Sequence, residues 1–258
     1  MVSIITPVLN GERFVECYFK CIFSQSFVDF EVIICDDKSD DQTKKLIDKY
    51  AKIDRRVRFI NNVTRSGAWF TRNQCIKLAK GRYIAFCDID DVWKSDKLAI
   101  QISQMKAHNA AISCTNVDVI DQSGELLGER TIGVPMLSFE RLLLKNYAVC
   151  SSVMYDSEIV GLPQFKNIRY AEDYELWLRI LKDNSVCLLV VKDKVVQYRA
   201  VAQSESSNKI KAAMGHLRAL KSFDISPLRI FFYMLTYLIL SVLGEIKTIK
   251  ATSNFGSK

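Results

Sequence analysis

The feature that most constrains this chain is an alternation over its first 118 residues. Short β-branched, apolar runs take turns with segments whose apolar residues recur at helical spacing. The runs are Val2–Thr6, Phe30–Cys35, Val57–Ile60, Tyr83–Cys87 and Ala111–Thr115. Between them lie Glu12–Ser24, Asp41–Lys52, Ser66–Lys80 and Ser95–Ala107. In the last segment Leu98, Ile102 and Met105 form one apolar stripe, as on the buried face of a helix. Strand–helix–strand repetition of this length predicts crossover connections and a mostly parallel central sheet flanked by helices, an α/β fold of Rossmann-like kind. Ligands of such sheets bind outside the carboxyl ends of the strands, so chemistry is sought there.

The pattern changes after residue 118. Asp121-Gln122-Ser123-Gly124 is a turn signal between Val117–Ile120 and Glu125–Leu127, which predicts a hairpin. A short helix over Ser138–Lys145 capped by Ser138, an apolar strand around Ala148–Tyr155 and a helix over Ala171–Lys182 should follow, then a strand pair at Val186–Val191 and Val195–Tyr198. No Pro/Gly/Ser-rich linker separates the halves. The expected units are 1–118, a smaller subregion 119–205 of the same domain, and a C-terminal segment 206–258.

In that last segment Ile230–Gly244 runs 15 residues without a charge. A spanning helix needs about 20 apolar residues, so this stretch is short for a crossing. It suits either a helix packed on the domain or an amphipathic, hydrophobic helix lying in a membrane surface. Lys209, Lys211 and Lys221 before it, and Lys247 and Lys250 after it, favour the in-plane helix at an anionic leaflet. The 36 Lys and Arg against 29 Asp and Glu give +7, which suits an anionic partner or merely solvated helix faces. The positive residues are dispersed, with no stripe of stacking aromatics, so no nucleic-acid partner is expected.

The eight cysteines form no C-x-x-C pair, and two histidines cannot complete a zinc site. Most lie in apolar runs as small buried hydrophobes, which points to a reducing compartment. No basic n-region or small-residue cleavage site precedes Val2. A cytoplasmic location is expected.

Three acidic clusters carry the chemistry. Asp36-Asp37-Lys38-Ser39-Asp40-Asp41 follows the second strand, with more carboxylates than a helix cap requires. An acceptor carboxylate there could take the N–H of a base or a ribose hydroxyl. Asp88-Ile89-Asp90-Asp91 follows the fourth strand. Three acids in four residues repel, and a hard divalent cation that also takes substrate phosphates would relieve them. Glu172-Asp173 opens a helix whose Leu176, Trp177, Ile180 and Leu181 are buried on one side. The helix dipole accounts for acids there, and so does a general base at the mouth of a site.

In this order the clusters resemble the inverting family-2 glycosyltransferases of GT-A fold. The likeness covers roughly residues 1–200. Val2–Asn10 looks like the family's first strand and donor-binding turn. Phe30–Thr43 looks like its nucleotide motif, although Lys38 stands where Gly is common. Ser66–Asn73 matches its Gly-containing turn with an Arg-Asn pair, Gly81–Asp91 the D-x-D strand, and Glu172-Asp173 the base motif.

The resemblance implies a UDP-sugar donor, with Pro7 and Asn10 lining the nucleotide pocket. Asp37 would accept from uracil with Asp36 in support, Arg72 would position the donor, and Asp88 would lie near ribose and sugar. Asp90, with Asp88, would hold Mn²⁺ or Mg²⁺. Asp173 would be the base and Glu172 its orienting neighbour. Asp91 is either a second metal ligand or structural. Arg199 is either a diphosphate contact or a surface cation. With the C-terminal helix, the likeness further implies a polyprenyl-diphosphate-linked saccharide acceptor at the cytoplasmic face of the inner membrane, in bacterial polysaccharide or O-antigen synthesis. A hexose of glucose or galactose type is the expected cargo. A sugar-nucleotidyltransferase would instead carry G-x-G-x-R after the first strand, where Thr6–Gly11 has one glycine. The third alternative, an inactive membrane-bound scaffold, would not be expected to keep Asp88, Asp90 and Asp173 together.

Overall fold

The structure, a computed structural model, describes residues 1–200 and 209–253, with side chains as far as Ser241. Strand β1 (Val2–Val8) lies between β2 (Phe30–Asp36) and β4 (Tyr83–Phe86), with β3 (Val57–Asn61) beyond β2, all parallel. Every residue of β1 and β2 is buried, as expected for parallel strands covered on both faces. Alternate side chains enter two cores. Ile5, Ile33, Ile84 and Phe86 join one, and Ile4, Val32, Ile34 and Ala85 the other. Helices α1 (Val15–Phe23), α2 (Thr43–Ile53) and α3 (Ala68–Ile76) connect these strands, and α4 (Lys97–Ala107) follows them in the chain.

The remaining strands are β5 (Val92–Trp93), β6 (Ile112–Ile120), β7 (Leu126–Arg130), β8 (Met136–Leu137), β9 (Met154–Asp156) and β10 (Leu188–Arg199). The sheet runs β3-β2-β1-β4-β9-β6-β10-β5, with β7 paired to β6 and β8 to β10. β6 and β10 are parallel, whereas β9 runs antiparallel to both β4 and β6. The parallel order expected from the sequence thus holds for the first four strands, and antiparallel additions make the whole sheet mixed. α5 (Phe139–Leu142) is capped by Ser138, whose Oγ accepts from the Arg141 N–H. α6 (Ser157–Val160), α7 (Glu172–Asn184), α8 (Lys209–Lys221) and α9 (Pro227–Ser253) complete the helices.

Two elements differ from the sequence reading. The strand pair expected over 186–198 is the single strand β10, whose register on β6 shifts around Lys194. Lys192 and Asp193 bulge into solvent there while the ladder continues on both sides. The strand expected from Ala148 begins only at Met154, because Cys150–Ser152 tighten into a 3₁₀ turn. The hairpin forms as expected: β7 pairs antiparallel to β6, and the Asp121 carboxylate accepts from Ser123 and Glu125 N–H.

The boundary expected at 205/206 falls within 201–208, outside the described residues, as do the side chains of Glu245, Lys247 and Lys250. One side of α9 packs on the core through Ile230, Tyr233 and Met234. Leu228, Phe231, Phe232, Leu235, Leu238 and Ile239 form an opposite, exposed apolar side, from 46% to 67% accessible. No helix among the described residues is long and apolar enough to cross a membrane.

Candidate active site

The carboxyl ends of β1, β2 and β4 bring the first two acidic clusters to one edge, and α7 brings the third. Pro7 lies in the part of β1 that outruns β4, whose last partner is Ile5. A residue without an N–H costs no ladder bond to β4 there. Asn10 takes the left-handed conformation at φ 52°. Its N–H donates to Ser39 Oγ at 2.8 Å and its Oδ1 accepts from Asp40 N at 3.0 Å, which ties the first loop to the second. Lys38 sits at φ 64°, in the region where a side chain is strained. Glycine would take this conformation without that strain.

Asp36 Oδ2 accepts from Ser39 N at 2.9 Å, while Oδ1 is buried with no hydrogen-bond partner. Asp37 is a hub. Its carboxylate accepts from Asn62 Nδ2 at 2.7 Å, Ser66 N at 2.9 Å and Gly67 N at 2.8 Å. Burial alone would raise this carboxyl, but these hydrogen bonds and one with Thr71 outweigh it and hold the group below its usual range. A carboxylate offers about four acceptor positions, of which these three N–H groups take three and Thr71 competes for the fourth. A shallow cleft of about 300 Å³ opens next to it, lined by Asn62, Thr64, Ser66, Phe70 and Gln74 among others.

Arg72, on α3, joins the clusters. Its Nη2 donates to Asp88 Oδ1 at 2.6 Å, and its guanidinium lies 5.5 Å from the centre of the Phe165 ring. Burial opposes its charge, but Asp88 and Asp173 stabilise it and raise its pKa further. Asn73 beside it exchanges two hydrogen bonds with the Phe165 backbone, 2.9 Å from Nδ2 to O and 2.7 Å from N to Oδ1. These bonds pin the loop that leads into α7. The Asp173 carboxyl is raised by burial, with Arg72 the chief opposing influence and Asp88 adding to the rise. Glu172, next to it, is half-buried at the same helix start. The structure therefore places Arg72, Asp88 and Asp173, drawn from three separate motifs, within electrostatic reach of each other.

The acids after β4 fall into different settings. Asp88 has a side chain 31% exposed, and its N–H donates to Ser151 Oγ at 3.0 Å. Burial and neighbouring Asp88 push the Asp90 carboxyl up to about 6. Asp91 is buried, and its Oδ1 accepts from Arg199 N at 2.8 Å. Burial and the crowding of Asp90 and Asp88 raise this carboxyl, against that bond and a further one from Ser151. Arg199 is buried too. Its Nε donates to Asp90 O at 2.8 Å and its Nη1 to Asp121 O at 2.7 Å and Gln122 O at 3.1 Å. It braces the acidic turn against the hairpin.

Among the described residues no group of three or more His, Cys, Asp or Glu side chains forms a metal cage. Mg²⁺ and Mn²⁺ commonly use only one or two carboxylates and leave the rest of their coordination to water and phosphate oxygen. Asp88 and Asp90 supply such hard oxygen donors, and the carboxyl of Asp90 is raised by burial and by the neighbouring Asp88 charge, more than Arg199 and Arg72 offset. The donor chemistry fits a divalent cation.

Sequence reasoning missed Asn62, Phe165, Asn146, Trp93 and Lys97 as supports of the site. Asn146 hydrogen-bonds Asp173, and Trp93 Nε1 donates to Ser151 O at 3.0 Å. Lys97 lies buried with its Nζ 3.7 Å from the centre of the Trp93 ring. No local pattern marks them.

Residues 3–158 match the family model described as glycosyl transferase family 2. The chain is 36% identical over 213 residues to the putative teichuronic acid biosynthesis glycosyltransferase TuaG of Bacillus subtilis, covering 83% of this chain and 84% of that one. It is 32% identical over 243 residues to WfgD of Escherichia coli, covering 94% of each chain; that protein is named UDP-Glc:alpha-D-GlcNAc-diphosphoundecaprenol beta-1,3-glucosyltransferase. Among solved structures, the mannosyltransferase PcManGT of Pyrobaculum calidifontis, in complex with GDP-Man and Mn²⁺, superposes with a TM-score of 0.69 at 15% identity, over 100% of this chain and 76% of that one.

Proposed function

The chain belongs to glycosyl transferase family 2, and we propose that it moves a hexose, glucose or galactose, from UDP to a saccharide carried on polyprenyl diphosphate during bacterial polysaccharide or O-antigen assembly. The single observation that carries this reading is the setting of Arg72, which bonds Asp88 of the D-x-D turn and lies within electrostatic reach of Asp173 at the start of α7. The likeness to WfgD over nearly the whole of both chains supports the substrate class.

In this reading residues 1–118 hold the donor, 119–205 the acceptor, and 206–258 the membrane surface. Pro7 and Asn10 shape the nucleotide pocket, and Asp37, backed by Asp36, accepts from the uracil N–H. Arg72 holds Asp88 beside the donor's ribose and sugar. Arg199 keeps the turn in place and leaves contact with the diphosphate to its neighbours. Asp90 and Asp88 are the residues that would hold Mn²⁺ or Mg²⁺, as the Mn²⁺ bound by PcManGT suggests. When bound, the ion acts as a Lewis acid that offsets the charge developing on the departing diphosphate.

Asp173 accepts the proton of the acceptor hydroxyl while the oxygen attacks the anomeric carbon. The bond from that carbon to the β-phosphate oxygen breaks, its electron pair stays on UDP, and the configuration inverts. Glu172 orients the pair. The exposed apolar side of α9 seats the enzyme on the cytoplasmic leaflet, where its lipid-linked acceptor resides.

General-base catalysis contributes about 10²–10⁴-fold. Asp173→Asn should therefore bind UDP-sugar as the wild type does by calorimetry, while turnover falls by about that factor. Unchanged turnover removes Asp173 from the role.

A further inference from the structure

Three cations gather around one tyrosine just ahead of the base. The Tyr170 ring centre lies 4.9 Å from the Arg169 guanidinium carbon, 5.6 Å from Lys211 Nζ and 5.7 Å from the Arg218 guanidinium carbon. The arrangement is built, not incidental. Tyr170 holds a left-handed φ of 73°, and its carbonyl oxygen sits 2.6 Å from where a Cβ at Gly215 would stand, so α8 approaches as only glycine permits. Arg218 Nη1 also donates to Arg169 O at 3.3 Å.

Like charges this close repel, and a ring face compensates an arginine by only about 0.5–1 kcal/mol at an exposed site. No carboxylate among the described residues pairs with Arg169 or Arg218. An anion carrying more than one charge would offset the two guanidinium groups. On the same helix Ile210 is 73% and Met214 is 44% exposed, one turn apart beside Lys211. A cationic cluster therefore borders an exposed apolar pair. Tyr170 precedes Asp173 by three residues, which puts the cluster within about 10 Å of the base along the chain. In a saccharide joined to diphosphate, one sugar ring separates a ring hydroxyl from the anomeric phosphate.

We propose that Arg169, Lys211 and Arg218 around Tyr170 form the subsite for the diphosphate of the lipid-linked acceptor, with Ile210 and Met214 receiving the start of its hydrocarbon chain. This inference rests on the acceptor class proposed above. It distinguishes the acceptor's diphosphate from that of the donor, which belongs to the acids after β4.

The test uses the full chain in neutral detergent, so that no anionic leaflet contributes. Steady-state transfer is measured to lipid-diphosphate-GlcNAc and to the same sugar on an uncharged alkyl group. The wild type should show a lower KM for the diphosphate acceptor. In Arg169→Gln/Arg218→Gln that KM should rise by about tenfold or more, the KM for UDP-sugar should stay within about twofold, and the preference over the uncharged acceptor should vanish. Arg169→Lys/Arg218→Lys, which keeps the charges, should recover most of the loss, and equal melting temperatures would show all three proteins folded. A diphosphate preference that survives the double Gln variant overturns the subsite and leaves the acceptor class standing. A rise in donor KM instead assigns the cations to the donor and also overturns it. A wild type indifferent to the diphosphate removes the acceptor class and the subsite together.

Discussion

Replacing Arg72 with Met deletes the charge that bonds Asp88 and acts on Asp173, the proposed base, while keeping most of the side-chain volume. The guanidinium is 8% exposed, and the Asp88 side chain it holds at 2.6 Å is 31% exposed. Breaking a fully buried pair costs about 3–5 kcal/mol and a surface pair about 0–1 kcal/mol. Asp88 keeps partial access to water, so the loss should be intermediate, about 2 kcal/mol. For a chain of this size each kcal/mol moves the melting temperature by about 2–4 °C, so Arg72→Met should melt about 4–8 °C lower. A second effect separates this residue from any structural cation. Arg72 is the chief influence opposing the rise in Asp173, so its removal raises that carboxyl further. The base works deprotonated, and the acid limb of the pH–rate profile must therefore move to higher pH. Thermal unfolding and a pH series of kcat with saturating donor read the two effects separately. A variant that melts as the wild type does and keeps its acid limb would refute the bridge.

Three further outcomes follow from other parts of the chain. Lys38→Gly relieves a left-handed backbone at φ 64° and should raise the denaturant midpoint with an unchanged slope, a gain of about 1 kcal/mol. His216 lies buried between the rings of Tyr174 at 5.1 Å and Tyr237 at 4.4 Å, and burial lowers its pKa to about 4. The folded state thus binds fewer protons than the unfolded one between about pH 6.5 and 4, so stability is lost as pH falls through that window, by roughly 3 kcal/mol in all. His216→Phe should remove this dependence, read as the difference between urea midpoints across pH, and an undiminished slope would count against it. Phe231→Ser/Leu235→Ser on the exposed side of α9 should weaken binding to anionic vesicles by about tenfold or more at an unchanged melting temperature.

The strand ends were legible because each parallel strand is a continuous apolar run that stops at an acid or a polar turn. Val2–Val8, Phe30–Asp36 and Tyr83–Phe86 all end within two residues of where the sequence pattern ends. Helix starts drifted inward, as at Val15 instead of Glu12, because Phe14 N first closes a turn on Gly11 O. The single strand β10 was hidden by Lys192-Asp193-Lys194, which read as a turn although the ladder to β6 continues past them. The acids of the site could be named since they cluster locally, but their separate roles could not. Asp91 faces inward because Arg199 N, 108 residues away, reaches it, and the Asn73–Phe165 clasp spans 92 residues. Contacts over such separations leave no trace in local composition. The cations around Tyr170 come from the turn before α7 and from α8, and only the fold shows that they converge.

The most direct test of the central claim is UDP release by the purified chain with Mn²⁺, across a panel of UDP-hexoses, with and without lipid-diphosphate-GlcNAc. The account predicts release that depends on the acceptor, with UDP-glucose or UDP-galactose as donor, and that stops on adding EDTA. Release equal with and without acceptor, or undiminished by EDTA, would contradict it.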